Sequence, residues 1–357
     1  MPNYEFEYIE NFRDFAAYPC RYGEMTKGVI FRSASISYAT EKDIKALLSL
    51  GIRSEIDLRG ARMWEKLPSP LKERGVEVVE IEIPFSDRFA TKEEDVPSWY
   101  LNLASDPYCV RKLCQAIIRL PKPLLLHCDA GKDRTGTFGA LLLLANGVSR
   151  KDAADSYNES YRGHLSKTEM RTKEKYPDLP DYVFHMNEGT IEKFLDLFYE
   201  KYGSIEEYLE CMGLNDSEID ALSNIFGKQE TSAGAVVFHD KKVLLEHMKM
   251  GHYSMPKGHV EECDLNLEET AIREIREETG LDATILDGFH KESVFSPRPG
   301  AIKRVHWFVA TVEGEKTVVQ PEEVSEIYFL SPEDALRVLT HDSDREILTE
   351  ACNFYFK

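Results

Sequence analysis

A chain of 357 residues favours two domains, and a make-up of 42% apolar and 30% charged residues is ample for two packed cores. The formal net charge of -19, from 63 acidic and 44 basic side chains, makes nucleic-acid polymers and anionic membranes poor bulk partners. No apolar run approaches the roughly 20 residues needed to span a bilayer. The polar, acidic stretch from Met1 to Glu10 lacks the basic start and apolar middle of a secretory signal. Seven scattered cysteines without a CxxC pair read as reduced thiols, so the expected location is the cytoplasm.

In the first half, short β-like runs at residues 29–31, 54–58, 76–83 and 124–127 alternate with helical patterns. Residues 41–50 are amphipathic, with Thr40 placed to cap a helix and Gly51 to stop it. Another helix is expected over residues 107–120, bounded by Pro121. The alternation predicts a mostly parallel sheet flanked by helices, an α/β architecture. After Arg134 the chain turns predominantly helical. Residues 141–145 sit in one apolar helix, and Ser149 with Asp152 opens another. Ser204 with Glu207 is a capping box, and Asn215 with Glu218 opens a last helix that ends near Phe226.

The short polar segment 227–232 is the expected boundary between a domain at 1–228 and one at 229–357. Beyond it, residues 233–238 and 243–246 form a hairpin pattern, and a Pro/Gly-rich loop follows at 255–258. An amphipathic helix is expected at 267–279, closed by Gly280. Strands at 284–289, 304–312 and 326–330 and helices at 332–339 and 344–354 complete the pattern.

The most informative stretch of the first half is His127-Cys128-Asp129-Ala130-Gly131-Lys132-Asp133-Arg134-Thr135-Gly136, between an apolar strand and an apolar helix. A thiol that attacks phosphorus must be a thiolate, and an ordinary cysteine at about 8.5 is mostly protonated at neutral pH. Cys128 at the mouth of a loop whose amides converge, beside a helix N-terminus, gains the stabilisation that an anion needs. The amides of Asp129, Ala130, Gly131 and Lys132 can then receive phosphate oxygens. Arg134 can fork onto two of those oxygens as charge develops, and Thr135 can donate to the sulfur as it leaves.

This loop resembles the CX5R loop of the protein tyrosine phosphatase superfamily. Over residues 1–226 the chain resembles the atypical bacterial tyrosine/serine phosphatases, which accept phosphotyrosine, phosphoserine or phosphothreonine, and phosphoinositides. The resemblance also rests on Arg32-Ser33, on Gly51-Ile52-Arg53 leading into Ile56-Asp57-Leu58-Arg59, and on Tyr202-Gly203-Ser204 with Tyr208-Leu209. It implies Asp133, inside the loop, as general acid, with Asp57 and Asp87 as alternatives, and no cofactor in this domain. Arg32, Arg59 and Lys132 are further candidates for substrate binding, Lys132 with charge suited to multiply phosphorylated rings.

In the second half, Glu274, Glu277 and Glu278 stand at i, i+3 and i+4 of the expected helix and share one face. Carboxylates so crowded repel one another unless cations sit between them, and hard oxygen donors at this spacing suit Mg²⁺ or Mn²⁺. Arg273 can hold a glutamate in place. The run from Gly258 to Leu281 resembles the Nudix signature GX5EX7REUXEEXGU, in which U is aliphatic, and implies an α/β/α sandwich. By that resemblance Glu274, Glu277 and Glu278 bind metal, Gly258 contributes its carbonyl, and Glu278 is the catalytic carboxylate. One residue is extra between Gly258 and Arg273, and Asp264 takes the place of the first glutamate.

Residues 231–357 further resemble the asymmetric diadenosine tetraphosphate hydrolases, through Pro256-Lys257-Gly258-His259, Gly288–Glu292, Val305-His306-Trp307-Phe308 and Glu323-Val324-Ser325-Glu326. That likeness implies Glu323 as a metal ligand, Phe295 as an adenine platform, and Lys257 and Lys303 as phosphate contacts. His259, with His252 and Tyr253, is a further substrate candidate. The leading expectation is a bifunctional hydrolase: a phosphomonoesterase acting on phosphorylated small molecules or phosphoproteins, joined to a pyrophosphohydrolase of dinucleoside polyphosphates. A second reading has both domains degrade inositol pyrophosphates in series, and a third makes one domain a nucleotide sensor. The sequence leaves the oligomeric state open.

Overall fold

The computed structural model describes residues 5–84, 90, 92–162, 166–175, 177–178, 180, 189–320 and 322–357. The chain divides into two compact units, Met1–Lys228 with Arg298–Ala301, and Gln229–Pro297 with Ile302–Lys357. No helix among the described residues is long and apolar enough to cross a membrane.

In the first unit a five-stranded sheet is built from β1 (Arg13–Asp14), β4 (Ile30–Ser33), β5 (Ser54–Asp57), β6 (Glu77–Glu80) and β7 (Leu124–His127). A short ribbon of β2 (Pro19–Cys20) and β3 (Gly23–Glu24) stands outside it. The strand order is β1-β4-β7-β5-β6, with β4, β7, β5 and β6 parallel and β1 antiparallel at the edge. Parallel strands are covered on both faces, and every residue of β4, β5 and β7 is buried. The register brings Ser33, His127 and Asp57 level at the carboxyl ends of three adjacent strands. Ligand crevices of open α/β sheets form at such ends.

The helices of this unit are α1 (Glu41–Ser49), α2 (Ala61–Lys66), α3 (Val96–Leu103), α4 (Pro107–Arg119), α5 (Asp133–Ala145), α6 (Arg150–Arg162), α7 (Ser166–Lys175), α8 (Thr190–Tyr202), α9 (Ile205–Cys211) and α10 (Asp216–Ser223). The expected first helix forms as read: Thr40 Oγ1 accepts the Asp43 amide at 3.2 Å, and Asp43 Oδ2 accepts the Thr40 amide at 3.2 Å. Asp43 is itself buried, since its carboxylate also takes the amides of Glu7 and Tyr8. Helix α5 is buried from Arg134 through Ala145 and packs on α3, α6, α9 and α10. A helix apolar all round belongs in the middle of a fold. Its first turn therefore has little freedom to move.

The second unit holds β8 (Lys228–His239), β9 (Lys242–Met248), β10 (Tyr253–Ser254), β11 (Lys257–His259), β12 (Ala283–Ile285), β13 (Lys291–Phe295), β14 (Ala301–Val312) and β15 (Val324–Leu330), all in one sheet. Its helices are α11 (Leu267–Thr279), α12 (Pro332–Val338) and α13 (Asp342–Tyr355). The two-residue period of extended chain sorts the side chains onto opposite faces. Val236, Phe238, Val243, Leu245, Trp307 and Val309 join Ala335, Ile347 and Ala351 of α12 and α13 in one core. Their immediate neighbours Ala235, Val237, Leu244, Phe308 and Ala310 join Ala271 and Ile275 of α11 in the other. The result is a sheet between helices, the expected α/β/α sandwich. Each fully buried Val, Leu, Ile or Phe of these cores contributes roughly 1.5–3 kcal/mol.

Two expectations change. Residues 228–232, read as a polar connector, are strand: Ser232 pairs with His259 and Ala233 with Gly258. Their side chains alternate, with Glu230 and Ser232 buried, but five polar residues in a row hide that period. The strand expected at 284–289 stops at Ile285, and the polar run Lys291–Phe295 pairs with β14 instead.

Candidate active sites

Cys128 follows β7 directly and is 2% exposed. The loop after it is held by its carbonyls. Ser35 donates its amide to Asp129 O at 2.8 Å. Asn11 Nδ2 donates to Ala130 O at 3.1 Å and to Gly131 O at 3.0 Å. Arg32 Nη2 donates to Gly131 O at 2.8 Å. In a trans peptide the N–H points opposite to the C=O. Pinning these three carbonyls therefore turns the amides of Ala130, Gly131 and Lys132 to the other side, as a cradle for an anion. Gly131 has φ +66°, and a Cβ there would lie 2.2 Å from Ser33 O. No other residue fits without moving β4.

Arg134 and Asp133 open α5. The Arg134 Nη1 donates to Leu58 O at 3.0 Å, which fixes the guanidinium beside the loop. Tyr100 Oη donates to Asp133 Oδ1 at 2.6 Å and lies 2.6 Å from Tyr157 Oη. Lys132 Nζ stands 3.6 Å from Asp133 Oδ1 and is largely buried, as an ion-pair partner rather than an outstretched probe. Thr135 is wholly buried.

Beneath the loop lies a buried charged network. His127 Nε2 contacts Glu55 Oε1 at 2.8 Å and its Nδ1 contacts Cys128 O at 3.0 Å. Burial opposes charge on this ring, but Asp57 and Glu55 outweigh it and push its pKa up to about 9. Both nitrogens then donate at neutral pH, and a positive charge sits one residue before Cys128. Asp57 is gripped by Arg59 through Nε at 3.0 Å and Nη2 at 2.7 Å. Burial pushes its carboxyl up, but His127 and Arg59 more than compensate and leave it below the ordinary carboxylate value. A carboxyl so held is a poor proton donor. Arg32 and Arg59, candidates for substrate binding in the sequence, are both 1% exposed and serve the loop and the sheet ends instead. Asp87 lies outside the described residues.

In the second unit α11 begins at Asn266, whose side chain accepts the Glu269 amide, and ends at Gly280 in the left-handed conformation. Arg273 organises the carboxylates. It grips Asp264 from Nε and Nη2, both at 2.9 Å, and donates from Nη1 to Glu274 at 2.8 Å and Glu277 at 3.2 Å. These bonds hold the Asp264 carboxyl well below its usual range. Asp264 thus takes a supporting position, which accommodates the extra loop residue. Arg273 Nη2 also donates to His259 O at 2.8 Å, so His259 contributes its backbone, while its side chain is 59% exposed.

Gly258 pairs with Ala233, and a Cβ on it would fall 2.0 Å from the Glu274 carboxyl. Glu278 is 4% exposed and accepts the Lys257 amide at 3.1 Å. Glu246 on β9, absent from the sequence reading, is 1% exposed and its Oε1 has no hydrogen-bond partner. Burial, and then repulsion within this carboxylate cluster, pushes both Glu246 and Glu278 up. An orphaned buried oxygen, mutually repelling carboxylates and an all-oxygen donor set fit a divalent cation. Only the pairing of β9 within the sheet reveals that Glu246 is buried. In sequence it ends an apolar run and looks like a solvated strand end.

The remaining candidates are spread around this cluster. Lys257 Nζ hydrogen-bonds Ser254 Oγ. Lys303 stands opposite Phe295 in the β13–β14 register. Burial and then the neighbouring Lys257 charge lower its pKa. Phe295 is half-buried against the core that α12 and α13 cover. Glu323 is exposed just before β15, and its charge adds to that around Glu246. Tyr253 stacks on His247 with ring centroids 4.7 Å apart, and His252 lies 5.9 Å from His341.

A family model described as "Tyrosine phosphatase family" matches residues 4–227, and one described as "NUDIX domain" matches residues 228–351. A tyrosine-protein phosphatase of Nostoc commune is 25% identical over 230 residues, covering 58% of this chain and 78% of the relative. The asymmetrical bis(5'-nucleosyl)-tetraphosphatase of Mus musculus is 30% identical over 106 residues, covering 29% of this chain and 71% of the relative. Among solved structures, a C. elegans Ap4A hydrolase binary complex is 23% identical with a TM-score of 0.33, covering 35% of this chain and 96% of that one.

Proposed function

Because this chain belongs to the tyrosine phosphatase family over residues 4–227 and carries a NUDIX domain over 228–351, we propose that it is a hydrolase with two independent phosphate sites. The first cleaves phosphomonoesters of phosphotyrosine, phosphoserine or phosphoinositide type. The second cleaves the phosphoanhydride of a dinucleoside polyphosphate. The observation that carries the first assignment is the loop between Cys128 and Arg134, with the carbonyls of Asp129, Ala130 and Gly131 pinned outward.

In the first site the phosphoryl group rests on the amides of Asp129, Ala130, Gly131 and Lys132. The Cys128 thiolate attacks phosphorus and the ester C–O oxygen leaves with the P–O bonding pair. Asp133, with one oxygen fixed by Tyr100, gives that oxygen its proton. Arg134 forks onto the equatorial oxygens as their charge grows. Water then attacks the phosphocysteine, Asp133 takes the water's proton, and Thr135 Oγ1 donates to the departing sulfur.

In the second site Glu274, Glu277, Glu278 and Glu323, with the carbonyl of Gly258, would hold Mg²⁺ or Mn²⁺. A divalent cation bound there would neutralise the carboxylates and supply the polarisation that activates a water toward phosphorus. Glu278, whose Oε2 is held by the Lys257 amide, would be the carboxylate that takes a proton from water. Lys257 and Lys303 bring ammonium groups to the polyphosphate, Phe295 offers a ring to a base, and His259 lies at the rim. Product analysis tests the assignment. With Mg²⁺, diadenosine tetraphosphate should give ATP and AMP, and a phosphotyrosine peptide should release phosphate without it. Consumption of a diphosphoinositol phosphate with no dinucleotide cleavage would replace the nucleotide assignment by serial action on one molecule.

A further inference from the structure

A second constellation of metal-type donors stands on β13 and β14, and the carboxylate site does not draw on it. Glu292 lies directly opposite His306 in the antiparallel register, so the two side chains rise on the same side of the sheet. His306 Nδ1 is 3.3 Å from Glu292 Oε1. His290, two residues before Glu292, stacks its ring on His306 with centroids 5.3 Å apart and an 11° interplanar angle. Its Nε2 lies 3.1 Å from His306 Nδ1. One ligand atom from each of the three residues lies within 4.8 Å of the other two.

The surroundings fix these donors. Phe308 stacks on His290 from its own position on β14, with centroids 5.3 Å apart. Arg304 pairs with Glu292 Oε2, so Oε1 is the oxygen turned toward the histidine. A partner of this kind orients a ligating carboxylate. Two imidazole nitrogens at hydrogen-bond distance share one proton when the rings are neutral, and two protonated rings repel. A cation with vacant orbitals accepts both lone pairs at once. Two nitrogens and one carboxylate oxygen form the donor set of a borderline ion such as Zn²⁺, in contrast to the all-oxygen cluster on α11. The Glu292 and His306 side chains are 34% and 13% exposed, so an ion can reach them from solvent.

We propose that His290, Glu292 and His306 bind Zn²⁺ through three protein ligands, with the remaining position left to water or an exogenous ligand. The ion ties the segment leading into β13 to the neighbouring β14. The site is independent of the function assigned to either domain.

Zn²⁺ calorimetry on the full chain after chelation and dialysis tests this, in a Cys128→Ser background that removes the thiol of the first candidate site. One Zn²⁺-binding event should survive Glu274→Gln/Glu278→Gln. It should weaken at least about 10-fold in His290→Gln/His306→Gln, and about 10- to 100-fold in Glu292→Gln. Co²⁺ in its place should show visible ligand-field bands that the histidine substitutions abolish. The proposal is overturned if the histidine variant binds Zn²⁺ as the parent does, or if all Zn²⁺ binding is lost with the α11 carboxylates. Circular dichroism without Zn²⁺ establishes that the double variant folds; if it does not, Glu292→Gln alone decides the outcome by the same criterion.

Discussion

The two candidate sites prepare for phosphate with opposite charge. Around Cys128 the fold supplies donors of its own: amides turned inward by pinned carbonyls, the Arg134 guanidinium, and a buried imidazolium at His127. Around Glu278 it supplies buried carboxylates that repel one another and leave Glu246 with an orphaned oxygen. In the proposed function the first site works with protein groups alone, and the second works with a cation. A loop presents several amides on one side where neighbouring segments donate to its carbonyls, as Asn11, Arg32 and Ser35 do here. The carboxylates at i, i+3 and i+4 of α11 offer no donors of this kind, and in the proposed function they would meet phosphate through a divalent cation.

The largest expected effects separate the sites completely. Cys128→Ser should lower monoester turnover on the order of 10⁴-fold or more and leave dinucleotide cleavage intact. Glu278→Gln should do the converse, with a loss of about 10²–10⁴-fold in dinucleotide cleavage. Steady-state rates on both substrates check each variant, and loss of both activities in either would end the contrast.

Smaller changes sharpen it. Gly258→Ala places a methyl against the Glu274 carboxyl and should weaken Mn²⁺ binding about 10- to 100-fold in a metal titration. Monoester turnover should not change. The His127 pKa, raised in the folded protein above the ordinary 6.5, makes a contribution to stability that is full below pH 6.5 and fades as pH climbs toward about 9. Urea unfolding of the full chain should therefore show stability falling by about 1–2 kcal/mol between pH 6.5 and about pH 8. The slope should flatten in Glu55→Gln, which removes the negative charge facing His127 Nε2.

Local signals were legible in the sequence where local rules govern. Thr40 and Asp43 cap α1 reciprocally, and α11 runs over the expected residues 267–279 between Asn266 and Gly280. The loop from Cys128 to Arg134 falls between strand and helix as its residues imply. What escaped depends on contacts remote in sequence. Glu246 is buried because β15 and α11 cover it, and the polar start of β8 is strand because β11 pairs with it. The support of the loop by Asn11 and Arg32 spans about a hundred residues of sequence, and no periodicity announces it.

The most direct test of a self-sufficient thiol site beside a metal-dependent carboxylate site is the effect of EDTA on both activities of the wild-type chain. Dinucleotide cleavage should vanish and return with Mg²⁺, while phosphate release from a monoester continues unchanged. If EDTA stopped monoester hydrolysis as well, the proposed metal-free mechanism of the cysteine loop would be contradicted.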